Sequence, residues 1–125
     1  MRILDIIKQD QLFIMRKNLV IMTRRYNNEL REIGLTAHQL FTLAALIPTL
    51  PLHGVTISTT MLANFLGVDR TTVTRGMLIL ARRGLVTYSS SRRDRRANEC
   101  MLTYSGKKLV EEGIKVLEGI GNDNR

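Results

Sequence analysis

Two short capped helices meeting at Leu66-Gly67-Val68, an arginine-rich hairpin directly after them, and long apolar helical stripes on either side predict the fold class. It is mainly α (α+β): a winged helix-turn-helix with a long N-terminal helix and a C-terminal helix forming a dimerisation scaffold. With 125 residues, 44% of them hydrophobic, the chain is large enough for one core, so residues 1–125 are expected as a single domain. Residues 36–103 would form the winged unit, and residues 1–33 and 104–125 the flanking dimerisation helices.

Gln9–Ile33 reads as one long helix. Leu12, Met15, Leu19, Met22, Tyr26, Leu30 and Ile33 recur at spacings of three and four, which lays them along one face. Phe13, Ile14, Val20 and Ile21 widen that face, while Arg16, Lys17, Arg24, Arg25 and Arg31 hold the polar side. Apolar residues on more than one side of a helix point to a second chain, and Leu12, Met15, Leu19 and Met22 are the expected contacts of a homodimer. The plainer alternative is that the surplus covers the chain's own core.

Gly34 ends that helix, and the next starts with a full set of signals. Thr36 and Gln39 form a capping box, with Leu35 and Leu40 as a hydrophobic staple. The helix is expected over Ala37–Ile47, stopping before Pro48. Pro48–Gly54 is a loop, and Val55-Thr56-Ile57 is β-prone enough for a short strand beside the later hairpin.

Ser58 caps the first helix of the central pair, with Leu62, Phe65 and Leu66 expected inward and Ala63 small where two helices cross. Gly67 supplies the left-handed residue that turns the chain. Asp69 caps the second helix, its carboxylate aimed at the Thr72 amide. Val73, Met77, Leu80 and Ala81 form the buried stripe there, leaving Arg70, Thr71, Thr72, Thr74, Arg75, Leu78 and Arg82 outward or on the flanks. Threonine hydroxyls at a helix start can bond phosphate or base edges, and Arg75 is best placed to read guanine. As ordinary surface residues they would be an odd choice, since threonine is a mediocre helix former.

The charge distribution supports the binding reading. Net charge is +8, and residues 69–96 hold eight arginines against only Asp69 and Asp94. A planar guanidinium can fork onto phosphate or guanine and can enter a narrow minor groove. Gly84 ends the second helix, Leu85–Tyr88 starts a strand, and Ala97–Thr103 returns with Cys100 and Leu102 inward and Glu99 and Met101 outward. At the tip between them, Arg92, Arg93, Arg95 and Arg96 are expected on DNA, with Asp94 bracing one of them. A last helix runs from Tyr104 to about Ile120, and its Leu109, Ile114 and Leu117 are the second part of the expected dimer surface.

Other classes find little footing. The lone Cys100 allows no internal disulfide and fits a reducing cytoplasm. Met1–Ile7 has no signal-peptide core, and Leu40–Leu52 is broken by Pro48 and Pro51, so no membrane partner is expected. His38 and His53 lack a companion cluster of ligands, so no metal and no cofactor is expected. There is no nucleophile elbow, paired-carboxylate motif or phosphate-cradling loop, so the protein is not expected to be an enzyme. A winged-helix module for protein contact or RNA, without operator specificity, is the alternative to double-stranded DNA.

The run LANFLGVDRTTVTRGMLILARRGLV, followed by DRR-A and then LT-x-x-G-K, resembles the MarR family of bacterial transcriptional regulators. The likeness extends from Gly34-Leu35-Thr36 to Gly106. It implies that Arg70–Arg75 lies in a recognition helix, and that Asp94 and Arg96 match an Asp-x-Arg wing motif in which the Asp orients and the Arg enters the minor groove. It further implies a homodimer on a palindromic operator, usually a repressor released by a small phenolic or other lipophilic ligand. Two features depart from the family pattern. The last helix is followed only by Gly121–Arg125, about one helix short of the usual dimer scaffold. The cysteine that the family's peroxide sensors carry in the first helix is absent, and Cys100 sits at an inward strand position where a thiol is expected to be inert.

Overall fold

The computed structural model describes residues 2–90 and 98–123 of the chain. Its order is α1 (Arg2–Gln9), α2 (Gln11–Leu30), α3 (Ala37–Ala45), β1 (Ile57–Ser58), α4 (Thr59–Leu66), α5 (Arg70–Arg82), β2 (Val86–Ser90), β3 (Asn98–Leu102) and α6 (Tyr104–Asp123). Single 3₁₀ turns follow α2 at Arg31–Ile33 and α3 near Ile47–Thr49.

The expected long first helix begins two residues later than Gln9, and a separate helix precedes it. The break lies at Asp10, whose extended backbone and side-chain bond from the Phe13 amide (3.0 Å) make it the N-cap of α2. At the other end Gly34 takes φ 76°, a left-handed conformation that closes the 3₁₀ turn by donating to the Arg31 carbonyl. The next start matches expectation closely. Thr36 accepts from the Gln39 amide at 3.1 Å while Gln39 accepts from the Thr36 amide at 3.0 Å. Asn27 then ties the two helices together, accepting from the Ala37 amide at 2.7 Å. Helix α3 ends at Ala45 rather than Ile47, where the chain tightens into the 3₁₀ turn containing Pro48.

The sheet is antiparallel with β3 in the centre, paired with β1 on one side and β2 on the other. The strand expected at Val55–Ile57 starts two residues later, at Ile57–Ser58, in register with Cys100 and Glu99. Thr49 locks the sheet to the α3 turn. Its buried hydroxyl donates to the Leu46 carbonyl at 2.6 Å and accepts from the Leu102 amide at 2.9 Å.

The core is aliphatic, as the absence of Trp and scarcity of Phe suggest. Leu30, Leu40, Leu43, Leu46, Leu62, Met77, Leu80 and Cys100 are all essentially sealed from solvent, and α2, α3, α4, α5, the sheet and α6 each contribute to the cluster. One expectation about facing fails here. Phe65 is 74% exposed, not inward. Thr59, Leu62, Ala63 and Leu66 form the inner face of α4, so the i, i+3, i+4, i+7 pattern begins at a threonine, and the phenylalanine falls with Met61 on another side. On α6 the inner face is Gly106, Val110, Gly113, Leu117 and Ile120, so Ile114 points outward. A Cβ on Gly106 would run into the Leu85 carbonyl, and one on Gly113 would lie 2.5 Å from Leu40 Cδ1. These two glycines are the points of closest approach, which an apolar pattern does not register.

Candidate nucleic-acid interface

Helix α5 is aimed by its cap and its buried side. Asp69 accepts from the Thr72 amide at 2.7 Å, and hydrogen bonds from that amide and from the Thr72 hydroxyl, with Arg75 a smaller contribution, hold its carboxyl below the usual aspartate value. Val73, Met77 and Leu80 are buried against the core, which fixes the roll of the helix. The face left outside carries Thr71, Arg75, Leu78 and Arg82, all exposed.

The sequence-expected contacts separate into three groups. Arg70, Thr71, Thr74 and Arg75 come together around one shallow depression on the first two turns, with Thr74 half-buried at its edge. Arg82 lies on the same outer face at the far end of α5. Thr72 is exposed, but its amide and hydroxyl are both engaged by Asp69, so it serves the cap. Arg92, Arg93, Asp94, Arg95 and Arg96 lie outside the described residues. The strands that flank them end in register at Ser90 and Asn98, with the Asn98 side-chain Nδ2 donating to the Tyr88 hydroxyl at 2.7 Å.

A helix start favours negative charge, because its free amides and dipole present a partial positive end. Arg70 occupies the first position of α5. An arginine there is mildly unfavourable in the isolated chain and becomes favourable beside a phosphate, which the same amides would also attract.

Away from α5, the expected dimer residues also divide. Leu12, Met15, Leu19 and Met22 are between 52% and 74% exposed, and α1 buries no residue at all. Leu109 and Leu117, by contrast, pack half-buried on the chain's own core, so of the three α6 residues only Ile114 offers an exposed side chain. Leu19, Met22, Thr23, Tyr26, Ala37 and Phe41 line an apolar depression between α2 and α3. Cys100 is buried, and burial pushes its thiol pKa up, with a hydrogen bond to Thr59 opposing that in part. Among the described residues no cluster of His, Cys, Asp and Glu could hold a metal ion, and no helix is long and apolar enough to cross a membrane.

The MarR family model matches residues 33–97. Among solved structures, the chain is similar to the M. tuberculosis transcriptional regulator MosR in complex with DNA, at 27% identity and TM-score 0.77 over 92% of this chain and 80% of that one. It shares its fold with S. aureus MepR in a DNA complex, at 22% identity and TM-score 0.76 over 93% and 81%. It also shares it with Bordetella bronchiseptica BpsR, whose DNA binding is regulated by 6-hydroxynicotinic acid, at 24% identity and TM-score 0.75 over 92% and 79%. No curated protein gives a significant sequence match.

Proposed function

The chain belongs to the MarR family of transcription regulators, and from that premise we propose that it is a homodimeric repressor acting on a palindromic operator in the cytoplasm. That it is a DNA-binding regulator and not an enzyme follows from the family and from the winged-helix fold. The observation that carries the fuller reading is the outer face of α5, where Thr71, Arg75 and Arg82 stand exposed on a helix whose opposite side is locked into the core. One such helix from each subunit would enter successive major grooves, with half-site centres about 10 base pairs apart.

In this reading Arg70 and Thr71 hold phosphates, Thr74 and Arg75 meet base edges, and Arg82 meets the backbone further along. Arg92, Arg93, Arg95 and Arg96 reach the flanking minor groove or phosphates, with Asp94 bracing one of them. An Arg96→Ala variant is expected to bind more weakly and with a shallower dependence on salt; an unchanged salt slope would remove the wing from the contact. The exposed apolar side chains of α1 and α2, with Ile114 of α6, support a second copy of the chain as partner. The apolar depression at Leu19, Tyr26 and Phe41 supports release by a small lipophilic or phenolic ligand, with the Tyr26 hydroxyl as a polar handle.

The test is to select bound fragments from genomic DNA and footprint them. Enrichment of duplexes with two inverted half-sites, not displaced by competitor RNA, is the expected outcome. Equal competition by RNA, or protection of a single unsymmetrical site, would overturn the reading.

A further inference from the structure

Leu78 is a large apolar side chain, 47% exposed, in the middle of the face assigned above to DNA. At about 100° of turn per residue, Thr71, Arg75, Leu78 and Arg82 fall within an arc of about 60°, opposite the arc of Val73, Met77 and Leu80. Ile79, also half-exposed, falls about 40° outside that arc. Leu78 is therefore flanked along one stripe by the two arginines that complement the DNA charge. Its branched end has no hydrogen-bonding capacity, and burial of the other face of α5 leaves it no place in the core.

Resting on the DNA-binding reading above, we propose that Leu78 is a specificity residue that packs on the C5 methyl of a thymine in the major groove. The major-groove edge of a base pair offers one apolar group, that methyl, and an aliphatic side chain beside it reads thymine where a hydrogen-bonding residue would not. Leu78 stands about 4.5 Å further along the helix axis than Arg75, so the thymine lies one or two base pairs from the guanine that Arg75 reads. The threonine methyls of Thr71 and Thr74 are shorter and sit a turn or more earlier.

The experiment replaces each thymine of the selected operator in turn by deoxyuridine, which removes the methyl and keeps base pairing. Wild type is expected to lose about fourfold in affinity at one thymine per half-site, the effect of exposing roughly one methyl group. Leu78→Ala should bind the thymine and deoxyuridine operators alike, with an unchanged unfolding transition because the side chain is half-exposed. Ile79→Ala should keep the fourfold discrimination. Discrimination that survives Leu78→Ala, or disappears in Ile79→Ala, would overturn the assignment, as would a wild type that binds tightly and ignores every deoxyuridine. Failure to bind any duplex selectively is a different result: it would overturn the DNA-binding reading itself, and this assignment with it.

Discussion

The two ends of α2 live in different environments. Its last residue, Leu30, is fully buried among Leu40, Leu43 and the rest of the core, whereas residues 11–24 and all of α1 are exposed. Ile3, Leu4, Ile6, Ile7, Leu12 and Met15 each keep 44% or more of their surface in solvent. The exposed segment is also the more apolar in sequence: residues 11–24 hold eight apolar side chains, against only Tyr26 and Leu30 in residues 25–30. The difference teaches that the winged unit closes its core together with Leu30 of α2 and Val110 of α6, while the N-terminal arm leaves its apolar side chains uncovered within the chain.

The largest expected effect comes from removing that arm. A chain lacking residues 1–25 keeps Leu30 and the whole winged unit, so light scattering should show a monomer or insoluble material. A stable folded dimer would place the interface elsewhere. Next in size is a change inside the part of the chain that closes the core. Gly106→Ala forces a methyl against the Leu85 carbonyl, which cannot move without disturbing the link between α5 and β2, and should cost about 2–3 kcal/mol in denaturant unfolding. A cost near zero would show that α6 is free to shift. The smallest effect concerns the cap of α5. Because the Asp69 carboxyl is held below its ordinary 3.8, its contribution to stability is complete above that pH and is lost as pH falls through the lowered value. Asp69→Asn should therefore flatten stability against pH below about 4 and leave it little changed at neutral pH, where asparagine caps well; an unaltered acid limb would remove the cap from the balance.

The same contrast explains what the sequence made legible. Caps were, because Thr36, Ser58 and Asp69 act on amides three residues away, within a span that local reading covers. The buried stripe of α5 was too, since Val73, Met77 and Leu80 keep helical spacing over about two turns. Facing failed where an element was short, at Phe65 on the eight-residue α4, and the closest contacts of α6 went unread because they are made at Gly106 and Gly113. The boundary at Asp10 was not legible: the expected helix starts at Gln9 and runs through Asp10, whereas Asp10 caps α2 and a separate helix, Arg2–Gln9, ends before it. In the candidate site, Arg75 and Thr71 could be placed from periodicity and the Thr72 amide from the capping pattern, but the engagement of the Thr72 hydroxyl by Asp69 required side-chain geometry.

The central claim is that the outer face of α5 reads bases. It is tested most directly by measuring wild type and Arg75→Ala side by side against every single-base variant of the selected operator. The expected result is a loss of about 1–3 kcal/mol on the parent site, with preference collapsing at one position in each half-site and surviving elsewhere. A uniform loss that leaves every preference intact would contradict it and reduce Arg75 to a phosphate contact.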